Sequence, residues 1–195
     1  YWTNSLEWIF NPCLEASLQS STFCNLVTVP VDDVFDQEEL ERRAKLASRI
    51  ATLQAAYTDF HYLRPIWIER TEESRLIGVS MTGIVAGGVE KLDLGAAARV
   101  VLEENSRMAK LLGINEAERT TLIKPEGTSS LLLGGVPNGI HDGEESGTFI
   151  RRITVNHNEP IYRYFRESVP GMVEKSVYND YESYITFPMY LPEDI

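Results

Sequence analysis

The sequence predicts an α/β protein, and three observations carry that prediction: two long segments of helical amphipathic period, short apolar β-type runs between them, and glycine-rich or small polar loops where the runs end. The first extended stretch lies near 22–29 (TFCNLVTV). Asp36, with Glu39 three residues later, reads as a capping box that opens a helix running to about Tyr57, with Leu40, Ala44, Ala47, Ile50, Ala51 and Leu53 on its apolar stripe. Segment 61–76 (HYLRPIWIERTEESRL) reads as irregular, because Pro65 interrupts it and a charged cluster closes it. The small, apolar IGVSMTGIVAGG (77–88) suits tight packing or a turn close to a ligand. A second amphipathic helix is expected over 93–112, with Ala97, Val100, Val101, Met108 and Leu111 inward and Gly113 as its C-cap.

Beyond it, RTTLIKPEGTSSLLLGGVPNGIHDG (119–143) holds an apolar β-type run ending in Pro125, then Gly127, Thr128, Ser129 and Ser130. Strand, small polar loop and new element is how many α/β proteins build an anion pocket, since free backbone N–H groups there point at a phosphate. EPIYRYFRES (159–168) and the alternating YESYITFPM (181–189) read as a helix and a strand.

Composition narrows the function classes. The chain has 195 residues, 43% hydrophobic and 24% charged, which suits a soluble globular protein, one domain or a piece of one. A formal charge of -11, from 18 basic and 29 acidic residues, argues against a broad electrostatic grip on nucleic acid or an anionic membrane. No apolar run approaches the roughly 20 residues that cross a bilayer, and no leader opens the chain, so a cytoplasmic setting is expected. Two cysteines make no disulfide framework and, without clustered histidine, no metal site; they read as redox or nucleophilic thiols. The chain starts at Tyr1 and stops just after FPMYLPEDI, and reads as an excerpt from a longer protein.

The chemistry concentrates around the cysteines. Pro12 pushes Asn11 toward extended backbone, so 11–15 is predicted to be a stiff extended piece. Asn11, Cys13 and Glu15 would then share one face about 6–7 Å apart, a spacing that matches the breadth of a sugar ring. Cys24 follows eleven residues after Cys13, close enough to return beside it through a hairpin. Bland readings exist for each: cysteine packs as a small hydrophobe, Glu15 suits a solvated strand, and PEGTSS suits a turn capped by hydroxyls. His61, His141 and His157 lack ligand spacing and read as structural, although His141 lies near the expected nucleotide pocket; Arg151 and Arg152 read as solvated or ion-paired. Two further function classes stay open, a thiol–disulfide oxidoreductase using Cys13 and Cys24, which lacks the usual C-x-x-C, and a non-catalytic nucleotide-binding module using the 125–130 loop.

NPCLE followed by FCNL resembles the finger loop and adjacent strand of ribonucleotide reductases, and the eleven-residue cysteine spacing is similar to the adenosylcobalamin-dependent branch. RLIGVSMTG (75–83), KPEGTSSLLLGGVPNGIH (124–141) and ITFPM (185–189) fall in the family's order, so the resemblance spans nearly the whole chain. FCNL and PEGTSS lean toward the monomeric ribonucleoside-triphosphate reductase type. The resemblance implies a ten-stranded α/β barrel with a central finger loop near 10–20, of which 1–195 supplies roughly the C-terminal half as part of the catalytic barrel domain. It implies reduction of ribonucleotides to 2′-deoxyribonucleotides by a thiyl-radical mechanism, with adenosylcobalamin as the radical source. Cys13 resembles the residue that becomes the thiyl radical, Glu15 the base for the 3′-OH, and Asn11 the amide that holds the ribose hydroxyls. Cys24 resembles one of two reducing thiols, its partner outside this chain, and Gly127, Thr128, Ser129 and Ser130 resemble the substrate-phosphate loop. The implied partners are a ribonucleotide, thioredoxin or a similar dithiol, and a deoxynucleotide effector bound outside this segment. The chain departs from the family in having no third cysteine, no C-terminal cysteine pair and no self-contained cobalamin signature, so it is expected to be inactive alone.

Overall fold

In the computed structural model, which describes residues 8–133, 136–141 and 147–191, the first described element is an antiparallel hairpin: β1 (Trp8–Phe10) pairs with β2 (Ser17–Gln19), with Phe10 opposite Ser17. β3 (Asn25–Pro30), helix α1 (Gln37–Ala56), helix α2 (Pro65–Ser74) and β4 (Ile77–Thr82) follow, and β4 lies parallel to β3 with Asn25 opposite Ile77. After the single turn α3 (Ile84–Gly87) and a 3-10 turn (Val89–Lys91), helix α4 (Leu94–Leu112) returns the chain so that Thr121 bridges Val79 in parallel. Parallel strands joined through helices require such long crossovers, which is why strand and helix alternate along this sequence. The short α5 (Ser129–Leu132) follows.

The chain divides into two units, Tyr1–Gly143 and Glu144–Ile195. The second consists of β5 (Gly147–Asn156), α6 (Pro160–Ser168), a 3-10 turn (Pro170–Met172), β6 (Val173–Lys175) and β7 (Glu182–Leu191), its antiparallel strands ordered β5-β7-β6. Ile185 on the central strand is fully buried opposite both Ile153 and Val173. Arg152 pairs with Glu174 at 2.9 Å, as an ion-paired surface arginine should.

In the first unit, Val29, Ile77 and Val79 turn one strand face to the helices. α1 offers Leu40, Ala44, Ala47, Ala51 and Ala55, and α4 offers Ala97, Val101 and Ala109; alanine at most of these positions lets the two helices approach closely. Polar side chains on the seam find partners, as burial demands. The Ser48 hydroxyl donates to the Val101 carbonyl at 2.8 Å, and the Asn105 amide donates to Thr52 Oγ1 at 2.9 Å. Glu104 is only 3% exposed, bonded by Arg49 and by Arg107 at 2.6 Å. These bonds, Arg107's foremost, hold its carboxyl down at about 2 against the opposing pull of burial.

Several expectations are corrected. Asp36 caps α1 by accepting the Glu39 N–H at 2.8 Å, but the Glu39 carboxylate does not return the favour; it pairs with Arg42 and Arg43, each at 2.6 Å. Ile50 and Leu53 are 43% and 52% exposed, because at 100° per residue they sit well off the line through Leu40, Ala44, Ala47 and Ala51; Ser48 and Thr52 occupy the buried face in their place. Leu111 is likewise exposed, Val100 and Met108 are half-buried, and Glu104 and Asn105 take the inward positions. Segment 61–76 contains α2, since Pro65 stands at the first helical turn, where a missing N–H costs nothing. Among the described residues the run before Pro125 forms no named strand, only the parallel bridge at Thr121, with backbone hydrogen bonds to Ile77 and Val79 of β4. Gly113 closes α4 in the left-handed region, φ 67°, as read from the sequence.

Gly87 measures how tightly β4 feeds the helices: a Cβ there would lie 2.0 Å from the Val31 carbonyl oxygen, a backbone atom with no freedom to yield. Gly87→Ala should lower stability by about 1–3 kcal/mol in urea unfolding, while Gly171→Ala, whose Cβ meets nothing within 4 Å, should stay within about 0.5 kcal/mol of the parent. Glu104 yields a pH prediction. Its folded value of about 2 lies below the ordinary value of about 4.3, so its stabilisation is complete above pH ~4.3 and is lost as pH falls toward 2. Glu104→Gln should therefore lower stability at pH 7 and flatten the acid limb of a stability–pH curve between those values.

Candidate active site

The strand face turned away from α1 and α4 is built from every second residue: Leu26 and Thr28 on β3, and Gly78, Ser80 and Thr82 on β4. In β4 the alternation is visible in the sequence itself, where Ile77, Val79 and Met81 alternate with glycine and two hydroxyls. In the middle of this face a Cβ on Gly78 would lie 2.6 Å from Leu26 Cδ2 and 2.7 Å from Leu122 Cδ2, so glycine permits those two leucines to close over the sheet. A polar cluster lies at each end of this apolar patch.

At the amino end, the hairpin carries the cysteine row. Leu14 N–H donates to the Asn11 carbonyl at 2.9 Å, Leu14 adopts φ 64°, and Asn11 Oδ1 accepts the Ala16 N–H at 3.0 Å. Residues 11–15 are thus a tight reversal and not the extended piece expected, because six residues must turn the chain between Phe10 and Ser17. The i, i+2, i+4 strand register expected for Asn11, Cys13 and Glu15 is therefore not formed. Cys13 is exposed at the hairpin tip, Asn11 is half-buried and tied to the hairpin, and Glu15 turns inward. Both Glu15 carboxyl oxygens are buried and, among the described residues, have no hydrogen-bond partner. They face a cavity of about 220 Å³ lined by Phe10, Cys24, Leu76, Ile77, Arg119 and Glu15 itself. Burial, reinforced by the Glu15 charge, pushes the Cys24 thiol up to about 11. The hairpin is held from outside: Arg119 donates to the Ser17 carbonyl at 2.9 Å with its guanidinium over the Trp8 ring, and Arg70 donates to the Ser20 carbonyl.

At the carboxyl end, where α/β proteins place ligands, the 124–130 loop is fastened to both strands. Lys124 N–H donates to Ser80 Oγ at 2.9 Å, and the Thr28 hydroxyl donates to the Glu126 carboxylate. Glu126 is fully buried in the left-handed region, φ 56°, which costs an L-residue about 1–2 kcal/mol. Its carboxylate also accepts the Ser129 hydroxyl and lies 3.4 Å from Lys124 Nζ. Ser130 is fully buried, donating its hydroxyl to Asn138 Oδ1 at 2.5 Å and its N–H to the Glu126 carbonyl. Gly127 and Thr128 are exposed, and among the described residues the N–H groups of Gly127, Thr128 and Ser129 have no backbone acceptor. Gly139 supports the loop from behind, in the left-handed region and so close that a Cβ would lie 2.7 Å from the Lys124 carbonyl oxygen.

The structure therefore brings Glu15 and Cys24 to one cavity, leaves Cys13 exposed at the hairpin tip two residues before Glu15, and sets the 127–130 loop at the other end of β3; from Cys24 to Thr28 the strand advances about 13 Å. Glu126, Thr28 and Arg119 escaped the sequence reading. Glu126 looks like a loop acid in sequence, and only its burial marks it. Of the histidines, His61 lies 3.5 Å from Asp59, His157 bonds Ser183 at 2.9 Å, and His141 is exposed. Among the described residues no cluster of three or more His, Cys, Asp and Glu has the geometry of a metal site, and no helix is long and apolar enough to cross a membrane.

No family model matches the chain. Its sequence is 29% identical to the adenosylcobalamin-dependent ribonucleoside-triphosphate reductase of Euglena gracilis over 77% of this chain and 21% of the relative. Against the enzyme of the same name from Lacticaseibacillus paracasei it is 27% identical, over 92% of this chain and 27% of the relative. A crystal structure of a B12-dependent, class II ribonucleotide reductase superposes with a TM-score of 0.69 at 23% identity, covering 95% of this chain and 29% of that one. The chain resembles the adenosylcobalamin-dependent ribonucleotide reductases in sequence and in fold. It spans between 21% and 27% of the length of these two curated reductases.

Exposure separates the two thiols, and burial raises the pKa of Cys24. In the reduced protein at pH 8, iodoacetamide should modify Cys13 well before Cys24. Glu15→Gln removes a neighbouring negative charge and should move the midpoint of Cys24's pH–rate profile downward from about 11, leaving the burial contribution in place. A midpoint unmoved by the substitution would separate Glu15 from Cys24.

Proposed function

We propose that this chain is part of the catalytic barrel of an adenosylcobalamin-dependent ribonucleotide reductase, roughly the C-terminal half of a ten-stranded α/β barrel whose finger loop is the 10–20 hairpin. The observation that carries the reading is the shared strand face with a buried, unpartnered carboxylate beside a thiol at one end and a loop with free N–H groups at the other. A nucleotide has the matching polarity, hydroxyls at the sugar and anions at the phosphates. An acidic protein can hold such a polyanion only through local donors of this kind.

In this reading Cys13 carries the radical at the hairpin tip and removes the 3′ hydrogen. The Glu15 carboxylate, lacking any protein donor, accepts the 3′-OH proton. Asn11 holds the hairpin reversal that presents the tip. The 2′-OH takes one thiol proton and departs as water. Cys24 and a partner thiol outside this chain supply the two electrons and the second proton that complete the C2′–H bond, and end as a disulfide that a dithiol such as thioredoxin reduces. Cys13 returns the hydrogen to C3′ as Glu15 returns its proton. Gly127, Thr128 and Ser129 meet the phosphates. Adenosylcobalamin, when bound, supplies the radical that the reaction needs.

Exchange of tritium from the 3′ position in the complete enzyme tests the assignment. It should vanish in Cys13→Ser, because an O–H bond is too strong to form the radical reversibly, and persist in Cys24→Ser while deoxynucleotide formation stops. Equal exchange in both variants would overturn the roles given to the two cysteines. Nucleotide binding with no dependence on Cys13 would support the non-catalytic module instead.

A further inference from the structure

We propose that Glu126 is a positioning residue for the substrate phosphates: by taking the hydroxyl protons of Thr28 and Ser129 it locks the 126–130 loop onto β3, leaving the Gly127–Ser129 N–H groups and the Thr128 hydroxyl as the donors that face the anion. The proposal rests on the reading of that loop as the phosphate site. Its motive is an apparent contradiction. A fully buried carboxylate stands inside a loop expected to receive an anion, in a backbone conformation that an L-residue avoids. Like charge there would repel the substrate unless the carboxylate has another task and its charge is answered.

Both conditions hold. Thr28 projects from the same strand face as Leu26, and its hydroxyl reaches across to Glu126, so the loop is tied to a rigid element and not merely to itself. Lys124 Nζ at 3.4 Å, itself partly exposed, offsets the charge on the solvent side. Two hydrogen-bond directions follow from the geometry. The Ser129 proton is committed to Glu126, so the Ser129 oxygen presents lone pairs, and lone pairs repel phosphate oxygens. The Ser130 proton is committed to Asn138. Of the three hydroxyls in Gly127–Ser130, Thr128 alone keeps a donor for an anion, and its residue is exposed. Glu126 thereby sorts the loop into anchoring and recognising groups.

The test uses the complete enzyme with CTP, and with cytidine as the probe that lacks phosphate. Thr28→Val removes the hydroxyl at nearly constant volume and should raise the KM for CTP roughly tenfold with kcat held, while cytidine binding stays as in the parent. Thr28→Ser restores the hydroxyl and should restore KM. Glu126→Gln should raise KM similarly, and the double variant Thr28→Val/Glu126→Gln should be little worse than either single, since both break one connection. Thermal melts identify variants that have simply unfolded, and Thr28→Val is the informative one should Glu126→Gln fail to fold. A folded Thr28→Val with parental KM, or a Thr28→Ser as impaired as the valine, overturns the proposal. Thr128→Val distinguishes this failure from that of the underlying reading: if it too leaves the KM for CTP unchanged, the loop is not the phosphate site; if it raises KM while Thr28→Val does not, only the role of Glu126 falls.

Discussion

The two-faced character of the parallel pair β3 and β4 is the constraint on which the rest depends. One face must be large and apolar, because α1 and α4 bury themselves on it. The other must be small at Gly78 and polar toward its carboxyl end, because Leu26 and Leu122 close over the glycine and the 124–130 loop is fastened through the Thr28 and Ser80 hydroxyls. Strand periodicity permits both in six residues: Ile77, Val79 and Met81 serve the helices while Gly78, Ser80 and Thr82 serve the site. Gly78 is the narrowest point, since any side chain there would meet both Leu26 and Leu122. A one-residue slip in pairing would exchange the faces and abolish the core and the site together.

Three buried carboxylates show how the same group is put to different ends. Glu104 is answered by Arg49 and Arg107 and acts as a structural clip between α1 and α4. Glu126 is answered by two hydroxyls and a lysine, and fastens a loop. Glu15 is answered by no hydrogen bond, though its oxygens are as well hidden. An unpaired buried acid is costly to a fold and is best explained by a proton donor that arrives from elsewhere. Satisfaction of the hydrogen bonds, and not burial alone, thus separates scaffold from candidate chemistry in this chain.

Much of the scaffold was legible because it depends on local rules. Asp36, Gly113 and the helical period between them located α1 and α4 within a residue or two. The errors were also local in origin. Pro65 reads as a break in the sequence although it stands where helices tolerate it, and Ile50 and Leu53 read as inward on hydrophobicity although their angular position faces them outward. Pro12 favours an extended 11–15, yet hairpin closure between Phe10 and Ser17 outweighs that preference.

What the sequence determined by itself was the inventory and the order: an acidic α/β chain, a thiol–carboxylate row, a second thiol eleven residues on, and a glycine–hydroxyl loop after an extended run. These follow from composition and spacing, which the chain carries wherever it folds. Which groups meet was decided only by the tertiary structure. Glu15 meeting Cys24 across one cavity, nine residues on, Ser130 giving its proton to Asn138 eight residues on, and Glu126 disappearing beneath Thr28, 98 residues away, all depend on how the segments pack. No local preference encodes them, because burial and hydrogen-bond satisfaction are properties of the packed whole.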